Sequence, residues 1–389
     1  MKEFNFYQPT KIHFGVGRVR ELGKIVSKYG NTCLLVTTSY EEVPLRPLYD
    51  RVTNMLRDAD IQVFHFDEVV PNPTIGSIEK AISIVNENDI PVIVPVGGGS
   101  SIDTAKAIAL FYGAGEIDWP EVFGTYTDPF AEYAPLSQAP LPVVSVTTTS
   151  GTGSQLTQAM VISDPSRHEK NCIFHDRVFS QETIIDPELM LTLPATLTAV
   201  TGFDAFSHAF ESYLNDYASP YTEMIALESM RIITNTLPQV LKEGRNLELR
   251  SNMAYADMLS GISLTNAAAS IPHPLSEIIG GVSPGIPHGQ CLAVVYPEYI
   301  TFIYKEKIEK CARVARILEP ALTNASDEEA AQELCRVMLD FLDTIGLNHT
   351  LSELGCTEEE LGEMSENVLL EVLPWASRDV LFEMIKKRF

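Results

Sequence analysis

The first half of the sequence alternates short β-forming runs with segments of helical periodicity, and this restricts the chain to few folds. The β-forming runs lie at 33–37, 62–66 and 91–96, and the helical patterns between them lie at 47–59 and 75–87. Such alternation is typical of βαβ units, which build a parallel sheet. The run at 143–146 is almost wholly apolar, as expected for a strand with helices on both faces.

The pattern changes near Pro194. Beyond it, long segments with 3.6-residue periodicity predict helices at 198–213, 221–241 and 247–264. The stretch 186–194 carries a proline near each end and is a natural joint. The sequence therefore predicts an α/β domain over residues 1–186 and an all-α domain over residues 187–389.

Composition excludes several classes of protein. Hydrophobic residues make up 45% of the chain and charged residues 21%, which disfavours disorder. No uncharged apolar run approaches the roughly 18 residues of a membrane span. The 52 acidic and 28 basic residues give a net charge of −24, opposite in sign to that of a nucleic-acid-binding surface. We expect neither nucleic acid nor membrane as a partner.

The N-terminus and the cysteines predict the compartment. Residues 1–15 contain no apolar core followed by a small-residue cleavage site, so we predict no secretory signal and a cytoplasmic location. The six cysteines are scattered without a CxxC pair, and we expect most of them to be buried thiols.

A glycine-rich turn in the first half predicts a phosphate site. Gly97, Gly98 and Gly99 follow a strand and precede an apolar helix. Glycines at such a turn let a pyrophosphate approach the backbone amides at a helix N-terminus. The alternative is a tight turn capped by Ser100 or Ser101, without a ligand.

A second polar loop favours the ligand. Residues 147–154, which follow the next strand, are hydroxyl side chains and glycines suited to phosphate or ribose oxygens. Two such loops at strand carboxyl ends suggest one dinucleotide crossing the sheet. The usual GxGxxG fingerprint is absent, since Gly15 and Gly17 are followed by Arg18-Val19-Arg20. A standard Rossmann dehydrogenase is thus disfavoured.

Four residues of the second half could ligate a metal. Asp204 and His208 are spaced i and i+4, which places both on one helix face. His273 and His288 each follow a proline further along. One carboxylate and three imidazoles suit Fe(II) or Zn(II), with positions left open for a substrate oxygen. Taken singly, each histidine could instead be a buried or capping imidazole.

Taken together, these motifs make the sequence resemble the iron-dependent (group III) alcohol dehydrogenases over essentially its whole length. The segments that carry the resemblance occur in the family's order and are 97–106, 148–154, 185–189, 202–205 and 287–289. The resemblance implies a dinucleotide-binding α/β domain, a helical metal-binding domain and catalysis where they meet, in a dehydroquinate synthase-like architecture. It also implies a homodimer or higher homo-oligomer.

The resemblance assigns roles to particular residues. It implies Asp204, His208, His273 and His288 as metal ligands, with Fe(II) favoured and Zn(II) an alternative. The residues that it implies at an NADP or NAD cofactor are Thr38, Ser39, Asn72, Gly97, Gly98, Gly99, Ser100, Asp103, Thr148, Thr149, Thr152, Thr157 and Lys170.

Three positions depart from the family pattern. Thr38 and Ser39 stand where many members have an aspartate that repels a 2′-phosphate, which favours NADP without excluding NAD. Glu277 stands where many members have a histidine four residues after the third ligand. It could relay a proton or simply bond to a neighbour. Gln155 replaces a glutamate and retains hydrogen bonding.

The predicted function is reversible hydride transfer between NAD(P)H and a small aldehyde or primary alcohol, with the metal as Lewis acid. One alternative is a sugar-phosphate cyclase resembling dehydroquinate synthase. Such an enzyme needs several cations, whereas the stretch 199–299 holds only Arg231, Lys242, Arg245 and Arg250. A second alternative is a catalytically silent cofactor-binding protein, against which the complete ligand set argues.

Overall fold

A parallel β-sheet is the framework of the first half of the chain in this computed structural model, which describes residues 3–42, 44–368 and 376–389. The strands are β1 (Lys11–Phe14), β2 (Thr32–Thr38), β3 (Gln62–Val69), β4 (Ile93–Gly97), β5 (Val144–Thr147), β6 (Ala159–Asp164), β7 (Glu169–Phe174) and β8 (Glu182–Ile185). The helices of this half are α1 (Leu22–Val26), α2 (Arg46–Arg57), α3 (Ile75–Glu87), α4 (Gly99–Phe111) and α5 (Trp119–Thr125).

The strand order creates a place for a ligand. Six strands lie in the order β1-β8-β5-β4-β2-β3, and neighbouring strands are parallel, which confirms the predicted sheet. The chain runs from β2 outward to β3 and then returns to β4 on the other side of β2. In open α/β sheets, ligands bind at the carboxyl ends of the strands beside such a switch point. Strands β6 and β7 form a separate antiparallel pair, which the sequence analysis did not anticipate.

Both faces of the sheet are buried, as the apolar strands predicted. In β2, Leu34 and Val36 belong to a core that also contains residues of α3 and α4. Cys33 and Leu35 point to the other face, into a core with residues of α1 and α2. This alternation follows from the two-residue repeat of a strand.

The second half is helical, as predicted. Its helices are α6 (Ala195–Leu214), α7 (Pro220–Val240), α8 (Leu247–Ala267), α9 (Pro272–Val282), α10 (His288–Ile303), α11 (Ile308–Leu318), α12 (Asp327–Ile345), α13 (Glu358–Asn367) and α14 (Arg378–Lys386). In α6, every residue from Gly202 to Leu214 is buried. A helix that is enclosed on all faces is a core helix. Its polar residues therefore need partners inside the protein.

Residue contacts divide the chain into two units. One contains Tyr7–Leu193 and Arg245–Ala254, and the other contains Pro194–Gly244, Tyr255–Phe389 and the residues up to Phe6. The domain limits at residues 186 and 187 stay a prediction. All six cysteines are free thiols, and Cys33, Cys291, Cys311 and Cys356 are buried. Within the described ranges, none of the helices has both the length and the apolar character that a membrane crossing requires.

Candidate active site

Three helices of the helical unit bring the predicted metal ligands together. Asp204 and His208 lie one turn apart on α6, His273 is the second residue of α9, and His288 is the first residue of α10. Asp204 Oδ1 lies 3.6 Å from the Nε2 atom of each of these three histidines. The His208 ring also stacks on the His273 ring, with 4.5 Å between centroids. Ligand atoms of Asp204, His273 and His288 all lie within 4.8 Å of one another, and His208 meets the same carboxylate oxygen from the next turn of α6.

The unsatisfied atoms of this cluster fit a metal ion. Among the described residues, Asp204 Oδ1 and His273 Nε2 are buried without a hydrogen-bond partner, and 3.6 Å is too long for a hydrogen bond between them. A tetrahedral ion with bonds of about 2.1 Å separates its ligand atoms by about 3.4 Å. The spacing and the donor types both suit a divalent transition metal such as Fe(II) or Zn(II).

The electrostatics of the cluster favour an anionic carboxylate. Burial raises the pKa of Asp204, but the charges of the three neighbouring histidines outweigh burial and lower the pKa to about 2. Burial lowers the pKa of His273, whereas the carboxylates of Glu211 and Asp204 raise it and dominate. Asp204 is consequently ionised at neutral pH, as a metal ligand must be.

Two further residues bond to the Nδ1 atoms of His273 and His288. Glu211 Oε1 lies 2.8 Å from His273 Nδ1, and Ser276 Oγ lies 3.2 Å from His288 Nδ1. Because each contact uses Nδ1, the Nε2 atom of each ring is available to bind a metal at the centre of the cluster. The sequence analysis missed Glu211, although this residue continues the face of Asp204 and His208 three positions further on.

Glu277 lies on α9, one turn after His273, and is half-buried. The i, i+4 spacing puts the two side chains on the same face of the helix. A proton-relay role for Glu277 stays a prediction.

The glycine-rich turn opens α4 as predicted. Gly97 ends β4, Gly98 precedes the helix and Gly99 is its first residue. Among the described residues, no side chain caps this N-terminus, so the turn capped by Ser100 or Ser101 is not observed. A Cβ on Gly99 would lie 2.6 Å from Thr152 Cγ2. Glycine is therefore required where the two loops meet.

The polar loop after β5 lies against this turn. Thr148 donates its backbone N–H to Gly97 O at 3.0 Å, and a Cβ on Gly98 would lie 3.1 Å from Thr149. The two loops that the sequence analysis assigned to one dinucleotide are thus adjacent. Ser100 lies in the first turn of α4, beside them.

A buried layer beneath the loops contains two of the predicted cofactor residues, Asp103 and Thr157. The Asp103 carboxylate accepts hydrogen bonds from Ser154 Oγ at 2.5 Å and from Val161 N at 3.1 Å. Lys106 Nζ donates to Ser154 Oγ at 3.1 Å and to Thr157 O at 2.9 Å. Burial lowers the pKa of Lys106 to about 8. These contacts tie the polar loop to α4, a role of Lys106 that the sequence analysis missed.

Both hydroxyl side chains at the end of β2 have hydrogen-bond partners within the protein. Thr38 Oγ1 shares a hydrogen bond with Tyr49 OH at 2.8 Å, and Ser39 Oγ accepts from Glu41 N at 3.2 Å. Asp67 on the neighbouring strand β3 accepts from Tyr40 N at 3.3 Å. This carboxylate escaped the sequence analysis because only strand pairing brings it to the end of β2.

Asn72 and Lys170 lie near the same part of the antiparallel pair. Ser163 of β6 donates its N–H to Pro73 O at 2.7 Å, next to Asn72, and is paired in register with Lys170 of β7. Asn72 has a φ of 57°, a left-handed conformation that asparagine tolerates better than most residues.

Comparisons with known proteins agree with these observations. The sequence profile described as iron-containing alcohol dehydrogenase matches residues 9–187, and that of the C-terminal part of the Fe-containing alcohol dehydrogenase family matches residues 198–377. An NAD-dependent methanol dehydrogenase of Bacillus methanolicus is 31% identical, covering 95% of this chain and 94% of the relative. A 1,3-propanediol dehydrogenase of Klebsiella pneumoniae is 32% identical, and the match covers 94% of this chain and 90% of the relative.

The solved structures give the same result. The crystal structure of an archaeal halo-thermophilic alcohol dehydrogenase from a Red Sea brine pool has a TM-score of 0.90 and 30% identity to this chain, with full coverage of both chains. The α/β sheet and the helical second half are thus shared with this structure. The chain belongs to the iron-containing alcohol dehydrogenase family.

Proposed function

We propose that this protein catalyses reversible hydride transfer between a nicotinamide dinucleotide and a small aldehyde or primary alcohol, at a divalent metal held by Asp204, His208, His273 and His288. The observation that carries the proposal is the convergence of three imidazole Nε2 atoms, each 3.6 Å from one buried carboxylate oxygen. Two of the relatives are a methanol dehydrogenase and a 1,3-propanediol dehydrogenase, which supports a short alcohol as substrate.

Each group in the proposed reaction has one role. A bound Fe(II) or Zn(II) supplies Lewis acidity, which polarises an aldehyde carbonyl and lowers the pKa of an alcohol. Asp204 contributes the negative charge of the ligand set, and the burial of the cluster keeps competing water away. The backbone amides at the start of α4 bind the pyrophosphate of the cofactor. Direct hydride transfer needs no protein nucleophile.

The reaction is tested with chelator-stripped protein under anaerobic conditions. Oxidation of NADH and NADPH is followed with a panel of short aldehydes, with and without added Fe(II) or Zn(II). We expect activity only after metal addition. A protein that binds one metal per chain yet reduces none of the aldehydes would instead support a silent binding protein or a cyclase.

The cyclase finds little support in the described residues. Arg231, one of four cations between residues 199 and 299, forms an ion pair with Glu228 at 2.6 Å. Arg250, another of them, donates to Leu193 O at 3.0 Å. These contacts already engage two of the cations that a phosphorylated substrate would need.

For the cofactor, we propose NAD(H) rather than NADP(H). The sequence-based preference for NADP rested on the missing aspartate after β2. Asp67 brings a carboxylate to the same strand end, 3.3 Å from Tyr40 N. A cofactor whose pyrophosphate lies at Gly99 and whose adenosine crosses β2 would meet this charge, which bonds to ribose hydroxyls and repels a 2′-phosphate. The hydroxyl of Thr38 is already bonded to Tyr49.

Asp67→Asn is expected to reduce the preference for NADH over NADPH about tenfold, because removal of one partly exposed like charge is worth about 1.4 kcal/mol. The measurement is kcat/KM for both cofactors at fixed metal and aldehyde. Arg46 is the competing cation, with its guanidinium 5.1 Å from the Tyr40 ring and 2.7 Å from Glu41. If Arg46→Ala abolishes the use of NADPH while Asp67→Asn changes nothing, the choice of cofactor depends on Arg46 instead.

A further inference from the structure

Glu211 is a fully buried carboxylate on α6 that the proposed reaction does not use. Its Oε1 atom lies 2.8 Å from His273 Nδ1 and accepts from Tyr296 OH at 3.1 Å. Its Oε2 atom accepts from Ser270 N at 2.8 Å. Three donors from two parts of the chain, residues 270–273 and Tyr296, therefore converge on one side chain.

We propose that Glu211 is a positioning residue that fixes His273 as a metal ligand through Nε2, an inference that rests on the proposed function. An ionised carboxylate can only accept hydrogen bonds, so the contact at 2.8 Å requires the proton on His273 Nδ1. In a neutral imidazole the other nitrogen then carries a lone pair. That nitrogen, Nε2, is the atom directed at Asp204.

The same carboxylate fixes the position of α9 as well as the ring. Ser270 lies in the segment just before α9, two residues ahead of its first residue, so its bond to Oε2 ties the start of this helix to α6. Tyr296 of α10 bonds to Glu211 Oε1 and also to Ser207 O of α6 at 3.2 Å. Glu211 thereby holds the start of α9 against the helix that supplies Asp204 and His208.

His288 provides a contrast within the same cluster. Ser276 Oγ donates to His273 O at 2.7 Å and is therefore an acceptor for the His288 Nδ1 proton at 3.2 Å. A hydroxyl gives a weaker bond than a carboxylate. The His288 side chain is also 24% exposed, against 10% for His273. Glu211 thus makes His273 the more rigidly held of the two ligands.

Glu211→Gln tests the proposal with little change in shape. An amide offers one acceptor atom in place of two, while His273 Nδ1–H and Ser270 N–H are both donors. Either one donor loses its partner, or the imidazole moves its proton to Nε2 and can no longer ligate. We expect the dissociation constant for Co(II), measured by chelator competition, to rise by about 10- to 100-fold. The visible absorption of bound Co(II) should change as well.

Ser212→Ala is the matched control, since Ser212 is the next residue of α6, is equally buried, and bonds to Ser263 Oγ at 2.7 Å away from the cluster. We expect this variant to bind Co(II) as wild type does. Unchanged Co(II) affinity in Glu211→Gln would overturn the inference alone. Equal losses in both variants would also overturn it, by showing a merely structural role. A wild-type protein without metal affinity would overturn the proposed function together with the inference.

A measurement on wild-type protein covers the case in which Glu211→Gln does not fold. With ¹⁵N-labelled histidine and bound Zn(II), the His273 ring should carry its proton on Nδ1, coupled to a downfield proton resonance, and the metal on Nε2. A His273 ring that binds Zn(II) through Nδ1 would overturn the inference.

Discussion

Asp204→Asn is expected to abolish both metal retention and alcohol dehydrogenase activity while the protein remains folded. The substitution keeps the shape of the side chain but removes the charge shared by His208, His273 and His288. Loss of the metal's Lewis acidity should lower kcat/KM by at least about 1,000-fold, or roughly 4 kcal/mol of transition-state stabilisation.

The stability of the metal-free protein separates this effect from misfolding. In the metal-free protein, Asp204 is a buried carboxylate, 3% exposed, that lies among three imidazoles. Its lowered pKa shows that the imidazoles stabilise the ionised form, so Asp204→Asn also lowers the stability of the apo protein, and a melt without metal measures that loss separately from the loss of metal binding. Wild-type protein should gain about 2.7 kcal/mol when free metal exceeds its dissociation constant 100-fold, whereas Asp204→Asn should gain nothing.

Thermal melts with and without Fe(II) or Zn(II), together with metal analysis, measure this difference. His349, which the sequence analysis did not place at the metal, offers a control through His349→Ala. This variant should keep both the activity and the metal-dependent shift. A folded Asp204→Asn protein that retains stoichiometric metal and normal kcat/KM would contradict the ligand assignment.

The sequence predicted the parts of the site that depend on local periodicity. Asp204 and His208 share a helix face because four residues make about one turn. The proline before His273 lies at the first helical position of α9, where proline is favoured, and the proline before His288 is the residue just before α10. The turn from β4 into α4 could also be predicted locally, because three consecutive glycines, Gly97, Gly98 and Gly99, follow a β-forming run and precede an apolar helical pattern.

The missed features depend on contacts between distant residues. Glu211 meets His273, 62 residues away, and spacing along one helix cannot show which segment will pack against it. Asp67 reaches the end of β2 only through the register of two paired strands. The hydrogen bond between Thr38 and Tyr49 likewise depends on how α2 packs against the end of β2. Tertiary packing decided each of these outcomes.

Substitution of Gly289, the residue after His288, is expected to have the second large effect on metal binding and activity. A Cβ on Gly289 would lie 2.0 Å from Val200 O and 2.7 Å from Val200 C. These are backbone atoms of α6, just before the stretch from Gly202 to Leu214 in which every residue is buried, so this part of the helix cannot move aside easily. The close approach of the start of α10 to α6 therefore depends on the absence of a side chain at residue 289.

Gly289→Ala should displace His288 from the metal cluster. Alanine favours a helix by about 1 kcal/mol over glycine, so a purely local effect would be stabilising. The overlap with Val200 instead forces α10 away from α6, and such overpacking costs roughly 1–3 kcal/mol. Because His288 is the adjacent residue, a displacement of even about 1 Å can lower the rate about 100-fold. Co(II) affinity, kcat/KM and the melting temperature should all fall.

Gly285→Ala is the control that isolates the close approach. Gly285 precedes α10 by three residues, and a Cβ there would meet nothing within 4 Å. If both alanine variants bind Co(II) as wild type does, α10 can adjust without moving His288, and the packing argument fails. If only Gly289→Ala loses the metal, the position of His288 depends on the contact between two helix backbones, because its own hydrogen bond to Ser276 remains available in both variants.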